Sequence, residues 1–192
     1  MEPETAAAER IQAQAAKIKL LLMDVDGVLT NGRLYHVPGP DGKIVEFKGF
    51  DSQDGIGLHW LNWNGIKTGV ISGRVSAATA ERAQQVKMTY VYQGHIEKIP
   101  ILEEILADAK IDRDEVAYIG DDFTDIVIMH RVGLAIATAN ARAEVKAEAH
   151  YVTQAEGGSG AVREVVELLL KAQGKWDSIL KHYEIEGEAT SA

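Results

Sequence analysis

Residues 20–30 read Leu-Leu-Leu-Met-Asp-Val-Asp-Gly-Val-Leu-Thr, an apolar run that ends in Asp24 and Asp26. Such a run, closed by a glycine turn, predicts a buried strand that stops at the first acid. Residues two apart on an extended chain share a face, so the carboxylates of Asp24 and Asp26 point the same way. Gly27 then lets the backbone bend sharply. Two carboxylates at a strand tip can ligate a hard cation such as Mg²⁺ through oxygen. They can also divide labour, one attacking as a nucleophile while the other moves a proton. That is the equipment of phosphoryl transfer through an aspartyl-phosphate.

Outward from this stretch, strand-like and helix-like segments alternate. Strands are predicted at 66–71, 90–92, 116–119, 134–137 and 151–152. Helices are predicted at 76–87 with Ser76 as N-cap, and at 97–110, 123–131, 141–147 and 160–173, after an Ala-rich first helix. This alternation implies βαβ units and a doubly wound, mostly parallel sheet between helix layers, an α/β fold. Ligands of such sheets sit beyond the carboxyl ends of the strands, where Asp24 lies. Residues 31–48 break the rhythm: two alternating runs flank Pro-Gly-Pro-Asp-Gly, the pattern of a β-hairpin. The insertion is too small to be a lid domain. A single domain is expected over 1–175, followed by an aperiodic tail over 176–192, with Trp176 and Tyr183 as its candidate anchors.

The composition limits the alternatives. The chain has 192 residues, a formal net charge of -9 and no cysteine. It therefore offers no thiolate metal site or disulfide, and no basic excess for nucleic acid or an anionic membrane surface. No apolar run approaches the ~20 residues of a membrane span, and the first residues lack the apolar core of a signal peptide. A soluble cytoplasmic protein is expected.

Three further segments carry chemistry. In Val70-Ile71-Ser72-Gly73-Arg74 a hydroxyl at a strand end offers a donor to a phosphate oxygen, and backbone N–H groups follow it; capping of the next helix is the plain alternative. Lys98 opens a helix, where its ammonium can reach a phosphoryl group and offset clustered acids, unless it is merely a solvated surface residue. In Tyr118-Ile119-Gly120-Asp121-Asp122-Phe123-Thr124-Asp125 a second strand ends in acids. Asp121 is the candidate metal ligand, Asp122 a supporting ligand or its neighbour, and Asp125 a supporting partner or a charge on the helix dipole. No histidine has ligand spacing. Arg163 is open between substrate, a subunit contact and an exposed ion pair with Glu164 or Glu167.

Taken in order, these segments resemble the haloacid dehalogenase superfamily of aspartate-nucleophile phosphatases. Asp24, Asp26, Gly27 and Thr30 meet its first motif, Ser72 the second, Lys98 the third, and Asp121, Asp122 and Asp125 the fourth. The hairpin in place of a cap, with FDSQDGIG, SGR, YQGxxxK, VAYIGDD and YVTxxxGGSGAVREV, is similar to the 3-deoxy-D-manno-octulosonate 8-phosphate phosphatase family over about residues 18–174. The resemblance implies a capless, Rossmann-like core and a Mg²⁺-dependent phosphatase of lipopolysaccharide precursor biosynthesis. It implies Asp24, the Asp26 carbonyl and Asp121 as metal ligands, Asp24 as nucleophile and Asp26 as acid and base. Ser72, Gly73, Arg74 and Lys98 would bind the substrate. Phosphatases of 2-keto-3-deoxynononate 9-phosphate carry Glu at the place of Arg74, so Arg74 favours the octulosonate, its guanidinium suiting a sugar-acid carboxylate.

A core without a cap leaves its cleft open. The hairpin residues Leu34, Tyr35, Val37, Ile44, Val45 and Phe47 are too apolar to stand alone in water. Hairpins are expected to associate so that a neighbouring subunit closes each site, and the resemblance implies a homotetramer; folding back on the core is the alternative. Two other readings of the chain are a phospho-receiver module, which has no use for the proton donor Asp26, and a silent scaffold domain.

Overall fold

The computed structural model describes residues 3–185. Its main sheet has six strands, all parallel: β1 (Leu20–Met23), β4 (Lys67–Ser72), β5 (Tyr90–Gln93), β6 (Val116–Gly120), β7 (Leu134–Ala137) and β8 (Tyr151–Val152), in the spatial order β5-β4-β1-β6-β7-β8. The hairpin strands β2 (Tyr35–Pro38) and β3 (Ile44–Phe47) form a separate antiparallel pair. The helices are α1 (Pro3–Ala15), α2 (Ser52–Trp63), α3 (Ala77–Gln85), α4 (Lys98–Ala109), α5 (Phe123–Met129), α6 (Ala143–Ala147), α7 (Ala161–Ala172) and α8 (Trp176–His182).

β1 lies at the centre because every one of its side chains is apolar and buried. Leu21 and Met23 pack into one core with residues of α2 and α7, while Leu20 and Leu22 pack into a second core with residues of α4 and α5. Burial at about 1.5–3 kcal/mol per large apolar side chain makes this strand a main contributor to stability. Strand β4 lies on one side of β1 and β6 on the other, and the chain runs outward from each. The loops after β1 and β6 therefore diverge, leaving a crevice at their carboxyl ends. Asp24 and Asp121 border it.

Two segments differ from the sequence reading. Helix α2 was not predicted; Asp51 caps it, accepting from the N–H groups of Gln53 and Asp54. The tail expected from Trp176 instead begins as α8, in which Ile179 is buried and Trp176 meets the Trp60 ring edge-on at 5.7 Å. Residues 186–192 of that tail lie outside the described residues. Ser76 stands at the N-cap of α3 as expected, but its side chain makes no capping bond. No helix among the described residues is long and apolar enough to cross a membrane.

Candidate active site

Four strand ends supply the site. Asp24 follows β1, Ser72 ends β4, Lys98 opens α4 just beyond β5, and Asp121 follows β6. All four line one cavity of about 300 Å³, together with Asp26, Gly73, Arg74 and Asp122. Gly27, at φ 92°, lets the turn after Asp26 pass beside Asp121: a Cβ there would lie 2.0 Å from Asp121 Oδ2. Thr30 closes the turn, its buried hydroxyl accepting from the N–H of Gly32 at 3.2 Å.

Lys98 is no solvated surface lysine; it is 2% exposed. Its ammonium donates to Asp125 Oδ1 at 2.7 Å and to Tyr118 Oη at 3.0 Å, and stands 3.2 Å from Asp24 Oδ1. Burial opposes its charge, but Asp125 and Asp24 outweigh that and hold the ammonium above the usual lysine range.

Asp125 is wholly buried and fully engaged. Oδ1 accepts from Lys98 and from the Tyr118 hydroxyl at 2.7 Å, and Oδ2 from the N–H groups of Asp121 at 2.9 Å and Asp122 at 3.1 Å. It therefore orients both the ammonium and the acidic loop, which supports the partner reading over a bare dipole effect. Asp122 does cap α5, accepting from the N–H of Phe123 at 2.8 Å.

Asp24 and Asp121 are different in kind. Asp24 Oδ1 and Asp121 Oδ1 are buried without a hydrogen-bond partner. Burial, more than the attraction of Lys98 corrects, pushes Asp24 up to about 6. Burial, reinforced by Asp125 and Asp24, pushes Asp121 up to about 8. Oxygens of Asp24, Asp121 and Asp125 lie within 4.8 Å of one another. With Asp125 already saturated, Asp121 Oδ1 is left without a partner and Asp24 Oδ1 has only the Lys98 ammonium beside it, both on the wall of the cavity. A divalent cation fits this donor set and would relieve its charge excess.

Ser72 is buried at 3% exposure, and its Oγ accepts from the N–H of Arg74 at 3.2 Å, which leaves the hydroxyl proton free to donate. Arg74 is not idle: it pairs with Glu46 of the hairpin, and its Nε lies 3.6 Å from Asp26 Oδ2. Lys48, also from the hairpin, pairs with Asp26 Oδ1 and is 2% exposed at its side chain. The sequence reading named neither Glu46 nor Lys48 for the site. The signal available was their spacing: Glu46 and Lys48 alternate with the apolar Val45 and Phe47, so both acid and base face one way. Arg163 lies outside the cavity, bonded to Glu167 at 2.9 Å and 3.8 Å over the Trp60 ring.

Leu34, Val37, Ile44, Val45 and Phe47 are 42–65% exposed, so the hairpin does not fold its apolar side back on its own core. Tyr35 and Phe47 stack on each other at 5.0 Å.

A strand tip bearing Asp24 and Asp26, a buried lysine and a second acidic strand end on this sheet define a class. Residues 64–165 match the haloacid dehalogenase-like hydrolase family, and the chain belongs to it. A 3-deoxy-D-manno-octulosonate 8-phosphate phosphatase of Yersinia pestis is 41% identical over 168 residues, 88% of each chain. The enzyme of that name from Moraxella catarrhalis, solved with a magnesium ion, a phosphate ion and a KDO molecule, superimposes with a TM-score of 0.86 at 36% identity, covering 91% of this chain and 98% of that one. The cobalt-bound phosphatase from Haemophilus influenzae gives 0.79 at 33% identity, covering 84% and 92%. The chain is thus a phosphatase of the 3-deoxy-D-manno-octulosonate 8-phosphate phosphatase family.

Proposed function

We propose that this protein hydrolyses 3-deoxy-D-manno-octulosonate 8-phosphate to the free sugar acid and phosphate, with Mg²⁺, in the supply of lipopolysaccharide precursors in the cytoplasm. The observation that carries this reading is the convergence of Asp24, Asp121, Lys98, Ser72 and Arg74 on one cavity at the β1/β6 crevice. The names and bound species of the relatives support the substrate and the metal.

Asp24 and Asp121, with the Asp26 carbonyl, would hold Mg²⁺, which when bound neutralises the acids and polarises the transferring phosphoryl group. Asp24 attacks phosphorus in line, and the bond from phosphorus to the sugar oxygen breaks. Asp26 gives its proton to that leaving oxygen. Asp26 then takes a proton from water, whose oxygen attacks the phosphorus of the aspartyl-phosphate and frees Asp24 and inorganic phosphate. Ser72, the Gly73 N–H and the Lys98 ammonium hold the transferring oxygens through both steps. Asp125 keeps Lys98 in reach, and Asp122 supports the metal-binding loop. Arg74, held on the cavity wall, receives the sugar-acid carboxylate.

The exposed apolar hairpin supports association in which a neighbouring subunit covers the cavity, and the family resemblance implies a homotetramer. Phosphate release measured side by side from the octulosonate 8-phosphate, the nononate 9-phosphate and p-nitrophenyl phosphate tests the assignment. The octulosonate should have the highest kcat/KM, and Arg74→Ala should erase its advantage. Preference for the nononate would overturn the choice of substrate.

A further inference from the structure

The acid on which the proposed mechanism turns is not held by the core that carries it. Asp26 stands beyond the end of β1, in a turn with no regular structure, and its Oδ2 is buried without a hydrogen-bond partner. The restraint comes from the hairpin. The Lys48 ammonium sits on Asp26 Oδ1 with its side chain 2% exposed, and Glu46 Oε1 lies 3.8 Å from the same ammonium. Glu46 Oε2 pairs with Arg74, whose Nε is 3.6 Å from Asp26 Oδ2. The four side chains thus form a closed ring of alternating charge, with Asp26 as the only member from the nucleophile's turn.

Burying a lysine stem and head costs conformational and solvation free energy, and a solvated surface lysine would avoid both. We infer that Lys48 is a positioning residue for the proton transfers: by fixing Oδ1 it holds the Asp26 carboxyl group on the wall of the cavity that receives the substrate. The inference rests on the reading of Asp26 as acid and base given above. Oδ1 remains an acceptor whether the carboxyl group is protonated on Oδ2 or ionised, so the Lys48 contact persists through both steps. In the first step the carboxyl proton of Asp26 passes to the leaving alkoxide as its bond to phosphorus breaks; in the second the carboxylate recovers a proton from the attacking water.

A leaving group that needs no proton separates this role from a general packing role. Lys48→Met keeps the apolar stem, and Lys48→Gln keeps one N–H donor. With each variant, single-turnover rates are measured for the sugar-acid phosphate and, by stopped-flow release of nitrophenolate, for p-nitrophenyl phosphate. The expected result for Lys48→Met is a loss of about 10- to 100-fold on the sugar phosphate, with KM changed by less than about threefold, and a loss below about threefold on the aryl phosphate. Lys48→Gln should fall between Lys48→Met and the parent, which keeps the test open if the first variant folds poorly. Equal losses on both substrates, or a rise in KM with kcat unchanged, would overturn the inference. Asp26→Asn serves as the reference. If it discriminates between leaving groups and Lys48→Met does not, the role of Lys48 alone fails; if neither discriminates, the reading of Asp26 fails with it.

Discussion

Gly157→Ala should damage turnover and stability together. Gly157 precedes α7 and lies against the turn after Asp24 and Asp26, so a Cβ at that position would sit 1.9 Å from the Gly27 carbonyl oxygen and 2.4 Å from its carbon. Real Cβ contacts do not fall below 3.0 Å, so the turn and the loop must separate by about 1 Å. The loop cannot simply swing away, because the N–H of Gly158 donates to Val28 O at 3.0 Å and that of Gly157 to Asn140 Oδ1 at 2.6 Å. The displacement therefore reaches the adjoining Asp26. Misplacing a reacting group by about 1 Å costs on the order of 100-fold. Overpacking of this kind costs roughly 1–3 kcal/mol of stability, a fall in Tm of about 2–4 °C for each kcal/mol in a chain of this size. Phosphate release at saturating substrate and a thermal melt, run on one preparation, check both halves. Activity within threefold of the parent, with the fold intact, would show that the loop is not braced against the turn that carries Asp26.

Other consequences are open to measurement. Asp24→Asn should remove the nucleophile while preserving the fold, lowering kcat by at least about 10⁴-fold; turnover near that of the parent would refute its role. Asp54 is 1% exposed and bonded to the N–H of Arg163 at 2.7 Å, and burial pushes its carboxyl from 3.8 up to about 6. The folded chain therefore holds that proton more tightly than the unfolded one, so its contribution is lost as pH rises from about 4 to about 6, by roughly 3 kcal/mol. With Mg²⁺ present, the Tm of the parent relative to Asp54→Asn should fall across that window; a constant difference would contradict the assignment. Because burial pushes Asp121 up to about 8, Mg²⁺ binding to chelator-treated protein at pH 7 should release close to one proton from it, and far less at pH 9. Calorimetry in buffers of different ionisation enthalpy reads this release, and a release that ignores pH would show that Asp121 is already ionised before the metal binds. Val45→Glu with Phe47→Glu should shrink the particle seen by light scattering and lower activity together; an unchanged particle would remove the hairpin from assembly.

What the sequence discloses follows from how local each signal is. Strand β1 and its acids are legible because a buried strand, an acid pair and a turn glycine stand side by side. The same holds for β6 with Asp121, and for the helices whose apolar residues keep helical spacing. Helix α2 escapes because Gly55 and Gly57 sit inside it, and glycine weakens a helix read in isolation. Gly57 is there for a tertiary reason: a Cβ would meet Arg163 Cδ at 3.2 Å and Val166 at 3.3 Å, where α2 and α7 pack closely. Helix α8 is short and draws its support from Trp60, far away in sequence. Lys48 and Glu46 were placed on a hairpin, yet nothing local shows that the hairpin folds toward Asp26 and Arg74. Pairing across the chain is decided by packing, not by spacing.

Whether Asp24 itself is phosphorylated can be read chemically. Enzyme quenched during turnover of the sugar-acid phosphate and reduced with borohydride should yield homoserine at position 24, seen by mass in the peptide that contains residues 20–30. Conversion at another acid, or none while phosphate is being released, would contradict an aspartyl-phosphate at Asp24.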